Sequence, residues 1–362
     1  MEIDNYINKK NEFNKRSGLQ NIGATCYINT IIQCLLSCEP FRKFILSNDY
    51  MDRLKSTDSL DSLDSLDDKN NYYLVKELES IFRSMWVDGN SLNPLRFLKF
   101  LKIKFDFIDI NTQNDIHEIL LLILNKINEE IKVDNYTELL KNKQDINFKT
   151  EYDKLKYVCN EKWIELNKNE YSELNELLYN HSISQIVCGN CNYIHHNHES
   201  SCVIDLEIPK NEVDLKTCFI NYLGKDKLNI DDENKWKCDE CGTSNESDKI
   251  IKYWDLPQVL IISLKRFFYD KNTNRMSKNN SIVNIPFNLD LSDCVIQDKE
   301  YNYKLQSVGI HLGNIYGGHY VSLVRKNNED KIWTIIDDLS IRDIEEKDFN
   351  LNNAYMLFYT KI

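Results

Sequence analysis

The sequence predicts an α+β fold, a helical part followed by a sheet-rich part with a metal-binding insertion between the two halves of a candidate site. Three observations predict it. Apolar residues recur at helical spacing up to about residue 131, and short β-branched and aromatic runs dominate from about Ser182 onward. Two Cys-x-x-Cys pairs, Cys188/Cys191 and Cys238/Cys241, lie in the middle. Helices first and strands second imply two packed lobes with a cleft between them.

Residues 1–16 are polar and charged and read as a loose leader. After Cys26, Tyr27, Ile31 and Leu35 and, beside them, Ile28, Ile32 and Leu36 recur every four residues, giving a helix with a wide apolar stripe. Glu39-Pro40 stops or kinks that helix, because the residue before proline is pushed out of the helical region. An Asp-Ser-Leu repeat within 56–68 is acidic and sparsely apolar and reads as a disordered surface insertion. Further helices are expected at 72–86, 94–104 and 114–131. In the last, Asp115 and Glu118 sit in the first turn, where carboxylates complement the positive end of the helix dipole. Residues 132–180 are charged and helix-prone, with no role that the pattern assigns. Strands are expected at 183–187, 203–208, 259–268, 305–310, 320–324, 333–336 and 355–359.

The formal charge of −12 disfavours nonspecific binding to nucleic acid or to an anionic membrane, since phosphates would be repelled. The N-terminal stretch has no basic start followed by an apolar run, so no secretory signal is read there. The apolar run at 119–124 is too short to span a bilayer. Eleven cysteines, an odd number with two Cys-x-x-Cys pairs, point to a reducing compartment and metal-binding thiolates instead of a disulfide framework. The expectation is an intracellular monomer, in cytosol or nucleus.

Cys26 stands where its helix begins, after a Gly-containing stretch. Free N–H groups and the dipole there favour a thiolate, the nucleophilic form. Those N–H groups form half an oxyanion hole, and Asn21 adds a side-chain donor. The plainer alternative is a small buried residue in a core helix. A Cys nucleophile needs a base and the base an orienting partner. His319, in Tyr316-Gly-Gly-His-Tyr-Val-Ser-Leu-Val, is the candidate base. Asp337, eighteen residues on at the end of a strand, is the orienter, brought alongside by a hairpin. Asp338 would point to the other face of that strand. The order Cys, His, Asp matches papain-like proteases, but 293 residues separate Cys26 from His319, against roughly 130–150 in that group. Cys188, Cys191, Cys238 and Cys241 fit part of the insertion, as one closed four-thiolate structural zinc site. His195, His196 and His198 read as solvated surface histidines.

These residues carry a family resemblance. Gly18-Leu-Gln-Asn-Ile-Gly-Ala-Thr-Cys-Tyr-Ile-Asn resembles the Cys box of the ubiquitin-specific proteases, and Gly-Gly-His-Tyr resembles their His box. Gln113-Asn-Asp-Ile-His-Glu, Leu256-Pro-Gln-Val-Leu-Ile-Ile-Ser-Leu-Lys-Arg-Phe and Ala354-Tyr-Met-Leu-Phe-Tyr resemble three further blocks in the family's order. The resemblance spans about 17–362. It implies a papain-like hand: a helical thumb at about 17–131, zinc-bound fingers at about 182–250 and a palm at about 251–362. It implies a deubiquitinating thiol protease that acts on ubiquitin and ubiquitinated proteins. Asp115 and Glu118 match positions that meet the arginines of ubiquitin's tail; Gly317, Gly318 and Tyr320 match the channel for its Gly-Gly end. Residues 312–318 match a mobile loop over the tail, with His311 at its base in a supporting place. Ala24, Asn114 and Ser263 depart from the family pattern, each away from the reacting groups. Two alternatives stay open, a non-catalytic ubiquitin-binding module and a protease for a ubiquitin-like modifier.

Overall fold

The computed structural model describes residues 17–54, 73–133, 149–224, 226–228, 236–244, 246–271, 274–315, 317–325 and 332–362. The expected leader and the Asp-Ser-Leu insertion at 56–68 lie outside them. Helix α1 (Cys26–Ser37) is buried at every residue, polar ones included. It runs between the other helices on one side and the large sheet on the other, so its apolar stripe has become a full circumference. Two of its polar side chains reach the backbone that precedes the helix: Gln33 Nε2 donates to the Ser17 carbonyl at 2.7 Å and Asn29 Nδ2 to that of Leu19 at 3.2 Å. The helix stops at Cys38, which is extended (ψ 101°), and Pro40 then opens α2 (Glu39–Ser47), where its missing N–H costs nothing.

α3 (Leu74–Phe82) runs on through a π-helical turn at Arg83–Asp88 and ends on Gly89 in the left-handed region at φ 70°. α4 (Leu95–Lys104) follows, then α5 (Ile116–Ile131), capped by Asp115. α5 buries Ile116, Ile119, Leu120, Ile123, Leu124, Ile127 and Ile131, steps of three and four that line one face. The helix-prone stretch beyond gives α6 (Glu151–Asn167) and α7 (Glu173–Leu178), each opened by a capping box, at Thr150/Asp153 and Ser172/Asn175.

β1 (Asn180–Cys188) and β2 (Ile194–Ser201) form a hairpin. β3 (Ile204–Glu207), β4 (Val213–Asp214), α8 (Leu215–Leu223), β5 (Asp226–Leu228) and β6 (Ser247–Asp255) come next. The small sheet has the order β2-β1-β6-β5. β3 does not join it, although it falls within the stretch expected to be fingers: it pairs in parallel with β7 (Val259–Lys265) of the large sheet. The strand expected at 259–268 is broken at Arg266. That side chain is fully buried and donates to the carbonyls of Ala354, Asn279 and Ser281. Beyond it β8 (Phe267–Asp270) and β9 (Arg275–Lys278) form a separate hairpin. β10 (Val283–Asn284) pairs with β4, and β11 (Asn288–Asp290) with β12 (Asn302–Asn314). β13 (Gly317–Arg325), β14 (Ile332–Asp337), β15 (Ser340–Glu345) and β16 (Ala354–Lys361) complete the large sheet, whose order is β15-β14-β13-β12-β16-β7-β3.

That sheet is apolar on both faces. One face, with Tyr320, Tyr355, Met356 and Phe358, closes on α1 and the other helices of the first lobe. The opposite face, with Tyr303, Trp333, Leu357 and Tyr359, closes on Phe219 and Cys218 of α8. None of the described helices is long and apolar enough to cross a membrane.

Candidate active site

Cys26 opens α1, and the turn before it is tied by its own polar side chains. The Thr25 N–H and hydroxyl both donate to Asn21 Oδ1, at 3.0 and 3.2 Å, while the Ile22 N–H donates to Thr25 Oγ1 at 3.0 Å. Gly23 takes φ +87°, and a Cβ there would come within 2.8 Å of the Ile110 carbonyl; the next N–H, of Ala24, donates to that same oxygen at 2.9 Å. Glycine is therefore required at 23. The Cys26 thiol is buried, and the backbone N–H groups of Tyr320, Tyr27 and Cys26 itself point at its sulfur. Burial is the larger effect and raises the thiol's pKa, with the charge of Asp338 adding to the rise. The free protein therefore favours the neutral thiol, against the expectation drawn from the helix start alone.

Tyr320 belongs to β13, so the strand that carries His319 touches the sulfur through the next residue's N–H. His319 Nε2 lies 2.6 Å from Asp337 Oδ1, at the last residue of β14. Both side chains are partly exposed, at 36% and 48%. The β13–β14 register, Ser322 opposite Ile336, brings the two together. With Nε2 bound as donor to a carboxylate, Nδ1 is the nitrogen left to accept a proton.

Asp338 is not on the other face of the strand. It lies past its end, in a left-handed turn at φ 53°. Its Oδ2 accepts from Asn21 Nδ2 at 2.9 Å and its Oδ1 from Asn29 Nδ2 at 2.7 Å. Its carbonyl accepts from the Leu19 N–H at 3.0 Å, and a Cβ on Gly18 would stand 2.6 Å from that oxygen. The stretch before Cys26 and the turn after Asp337 are thus sewn together, with Asn21 oriented at the seam.

His311 is buried between Tyr320 and Phe267, with ring centroids at 4.8 and 5.2 Å. Burial, with Lys278 nearby, brings its pKa down to about 4. A Cβ on Gly318 would sit 2.2 Å from His311 Nε2, so Gly318 makes room for that ring, whereas Gly317 faces open space. Of the stretch 312–318 expected as a mobile loop, Leu312–Asn314 and Gly317–Gly318 belong to β12 and β13 and are paired as far as Asn314 opposite Gly317. The side chain of Tyr320 is buried. Asp115 is half-buried and both oxygens are engaged: Oδ1 accepts from the His117 and Glu118 N–H groups, at 2.8 and 3.4 Å, and Oδ2 from the Tyr355 hydroxyl at 2.8 Å. Glu118 is exposed.

Three residues escaped the sequence reading. Asn29 holds Asp338, Asn114 Nδ2 donates to the Tyr27 hydroxyl at 3.0 Å, and Gln113 bonds to the backbone of Gly318. Gln113 and Asn114 stand in a recognised block, but nothing local says which backbone they meet. Ser263 is buried in β7 opposite Met356, away from this cluster.

The four cysteines of the two pairs converge at the end of the small sheet. Cys188 Sγ is 3.8 Å from Cys241 Sγ and Cys191 Sγ is 3.7 Å from Cys238 Sγ; all four sulfurs lie within 4.8 Å of one another. Sulfurs about 2.3 Å from a common tetrahedral centre are about 3.8 Å apart, so this donor set fits one metal ion with no position left open. Asn190 and Thr243 lie against Cys241 Sγ at 3.6 and 3.0 Å and orient it. Of the neighbouring histidines, His195 pairs with Asp239 at 3.1 Å and His196 is exposed. His198 is not a surface residue: it is buried, with Nδ1 3.0 Å from Nε2 of His181 across the β1–β2 hairpin.

A family model described as ubiquitin carboxyl-terminal hydrolase matches residues 17–359. The chain is 28% identical to a ubiquitin carboxyl-terminal hydrolase 4 of Vanderwaltozyma polyspora, across 95% of this chain and 41% of that protein. It is 27% identical to a ubiquitin carboxyl-terminal hydrolase 4 of Arabidopsis thaliana, across 95% of this chain and 93% of that one. It therefore spans about two fifths of the yeast relative and nearly all of the plant one. Among solved structures, a yeast SAGA DUB module with an Sgf73 mutant superposes with a TM-score of 0.71 at 21% identity, over 97% of this chain and 70% of that one. A SAGA DUB module of Ubp8, Sgf11, Sus1 and Sgf73 bound to monoubiquitin gives 0.71 at 20%, over 96% and 70%. At that identity the likeness is one of fold, a mixed helix-and-sheet hand.

Proposed function

The chain belongs to the ubiquitin carboxyl-terminal hydrolase family, and we propose that it is a cysteine-type deubiquitinase cutting the bond after the C-terminal glycine of ubiquitin. One observation carries the mechanism. His319 gives Nε2 to Asp337 at 2.6 Å, which frees Nδ1, and the next residue's N–H rests on the Cys26 sulfur. In this reading His319 Nδ1 takes the Cys26 proton as the sulfur attacks the glycine carbonyl. The oxyanion is met by the Cys26 N–H and by the amide of Asn21. The imidazolium returns the proton to the leaving lysine amine, and the C–N bond breaks to leave a thioester. Water, deprotonated by His319, then releases ubiquitin's carboxylate and the thiol.

The acidic positions near the α5 start support recognition of an arginine-bearing tail. Glu118, exposed, is the freer carboxylate; Asp115 contributes charge while its oxygens hold the helix cap and Tyr355. We assign zinc to the four-cysteine cluster, where the sulfur spacing suits its tetrahedral radius. When bound it would pin the two knuckles of the small sheet. All described cysteines are unbonded to one another, which fits a reducing compartment.

The test is release of a fluorogenic group from the C-terminal glycine of ubiquitin. Wild type should turn over. Cys26→Ala should not, yet should still bind ubiquitin. Binding by both with turnover by neither would instead identify a non-catalytic ubiquitin-binding module.

A further inference from the structure

Backbone N–H and C=O groups alternate sides along a strand, so Gly318, Tyr320 and Ser322 of β13 present theirs along one edge. Each of the three has a different partner. Ser322 pairs with Ile336 of β14, and the pairing of those strands goes no further toward Gly318. Tyr320 gives its N–H to the Cys26 sulfur. At Gly318 the place of a partner strand is filled by a single side chain. Gln113 Oε1 accepts from the Gly318 N–H at 2.8 Å, and Gln113 Nε2 donates to the Gly318 carbonyl. One carboxamide thus makes both hydrogen bonds that a facing peptide would make. Gln113 sits in the loop before α5, in the first lobe, and is exposed, so the contact ties that lobe to the sheet.

We propose that Gln113 is a latch whose carboxamide occupies, in the free protein, the backbone slot on Gly318 that the substrate's extended C-terminal tail must take. This rests on the deubiquitinase reading. The tail has to end at the Cys26 sulfur, which Tyr320 marks on this edge, and Gly318 offers the next N–H and C=O pair along it. Binding then exchanges one amide for another. The apparent affinity is reduced by the fraction of molecules with the latch closed.

The test compares the wild-type chain with Gln113→Ala, and with Gln113→Glu, which sets a carboxylate oxygen against the Gly318 carbonyl. KM for the fluorogenic ubiquitin substrate should fall about 3- to 10-fold in both variants, as expected for freeing one or two ordinary hydrogen bonds. The Kd of ubiquitin for Cys26→Ala should fall by the same factor when Gln113→Ala is added. A raised or unchanged KM, or a loss confined to kcat, would overturn the latch and make Gln113 a tail contact or a positioning residue. Hydrogen exchange provides a readout independent of turnover: the Gly318 amide, which loses its acceptor in Gln113→Ala, should exchange faster in that variant than in wild type. Equal rates overturn the latch whatever the kinetics show. Failure of the deubiquitinase reading looks different, since no form would then turn over or bind ubiquitin while Gly318 exchange would still respond.

Discussion

Asp338 and Asp337 are adjacent carboxylates with separate duties. Among the described residues the Asp337 carboxylate hydrogen-bonds only to His319, and its loss leaves the ring free to turn and the imidazolium without that partner. Asp337→Ala should lower kcat on the order of 10²-fold or more, read by steady-state turnover with folding checked by circular dichroism. Asp338 also has a carboxylate oxygen within 4.8 Å of the His319 and Asp337 side chains, but its hydrogen bonds go to Asn21 and Asn29, which it orients. Asp338→Ala should lower kcat on the order of 10²-fold with KM little changed, the size expected when an oxyanion donor is lost. A KM effect alone would take Asn21 out of the oxyanion hole. Asp338 also helps to raise the Cys26 pKa, so Asp338→Asn should lower the pH at which iodoacetamide begins to modify Cys26. The cysteine, histidine and Asp337 were legible from the sequence because each stands in a dense local block. The task of Asp338 was not, because its partners are more than 300 positions away and its backbone has left the strand.

At the level of elements, the start of α5 separates two uses of acid. Asp115 closes the helix and receives the Tyr355 hydroxyl, so Asp115→Ala should cost about 1–2 kcal/mol of stability, seen as a lower urea midpoint. Glu118→Ala should leave the midpoint unchanged and raise KM for ubiquitin. The β1–β2 hairpin holds a second element-level device, the buried His181–His198 pair, with the Trp163 ring of α6 tilted against His181 at 5.6 Å. Burial, with His198 alongside, holds His181 down to about 4; His198 is also lowered by burial, with His196 and Lys162 opposing and Glu165 favouring its charge. A depressed histidine pKa means that the unfolded chain takes up protons first. Stability should therefore be unaffected above about pH 6.5 and fall as pH drops from there toward 4. The urea midpoint should show that decline, and His181→Phe should flatten it. Helical and strand periods were visible in the sequence, but a buried histidine pair was not, because alternation alone does not reveal that a helix covers that face.

For the whole molecule, the two lobes share one buried helix and one two-faced sheet, so the placing of Cys26 against the sheet is set by packing that involves most of the chain. The four-cysteine cluster lies apart from that core, at the end of the small sheet. A strong chelator should release about one zinc per chain by elemental analysis and loosen the segment around 188–241, leaving the exchange protection of α1 intact. Freshly purified protein without metal would remove zinc from the account.

Taken alone, the sequence determined the α+β order, the buried stripe of α1, most of the strands of the large sheet but not β11 or β15, the two cysteine knuckles and the block pattern of the family. These are short-range properties: periodicity, capping and motif spacing are written within a few tens of residues. Only the tertiary structure decided that burial would outweigh the helix start at Cys26 and that Asp338 would orient Asn21. It also decided that β3 would join the large sheet, that Gly318 would yield to His311, and that Gln113 would stand in a peptide's place. Each depends on groups that meet from distant parts of the chain, where desolvation and hydrogen-bond partners are set by packing and not by local pattern.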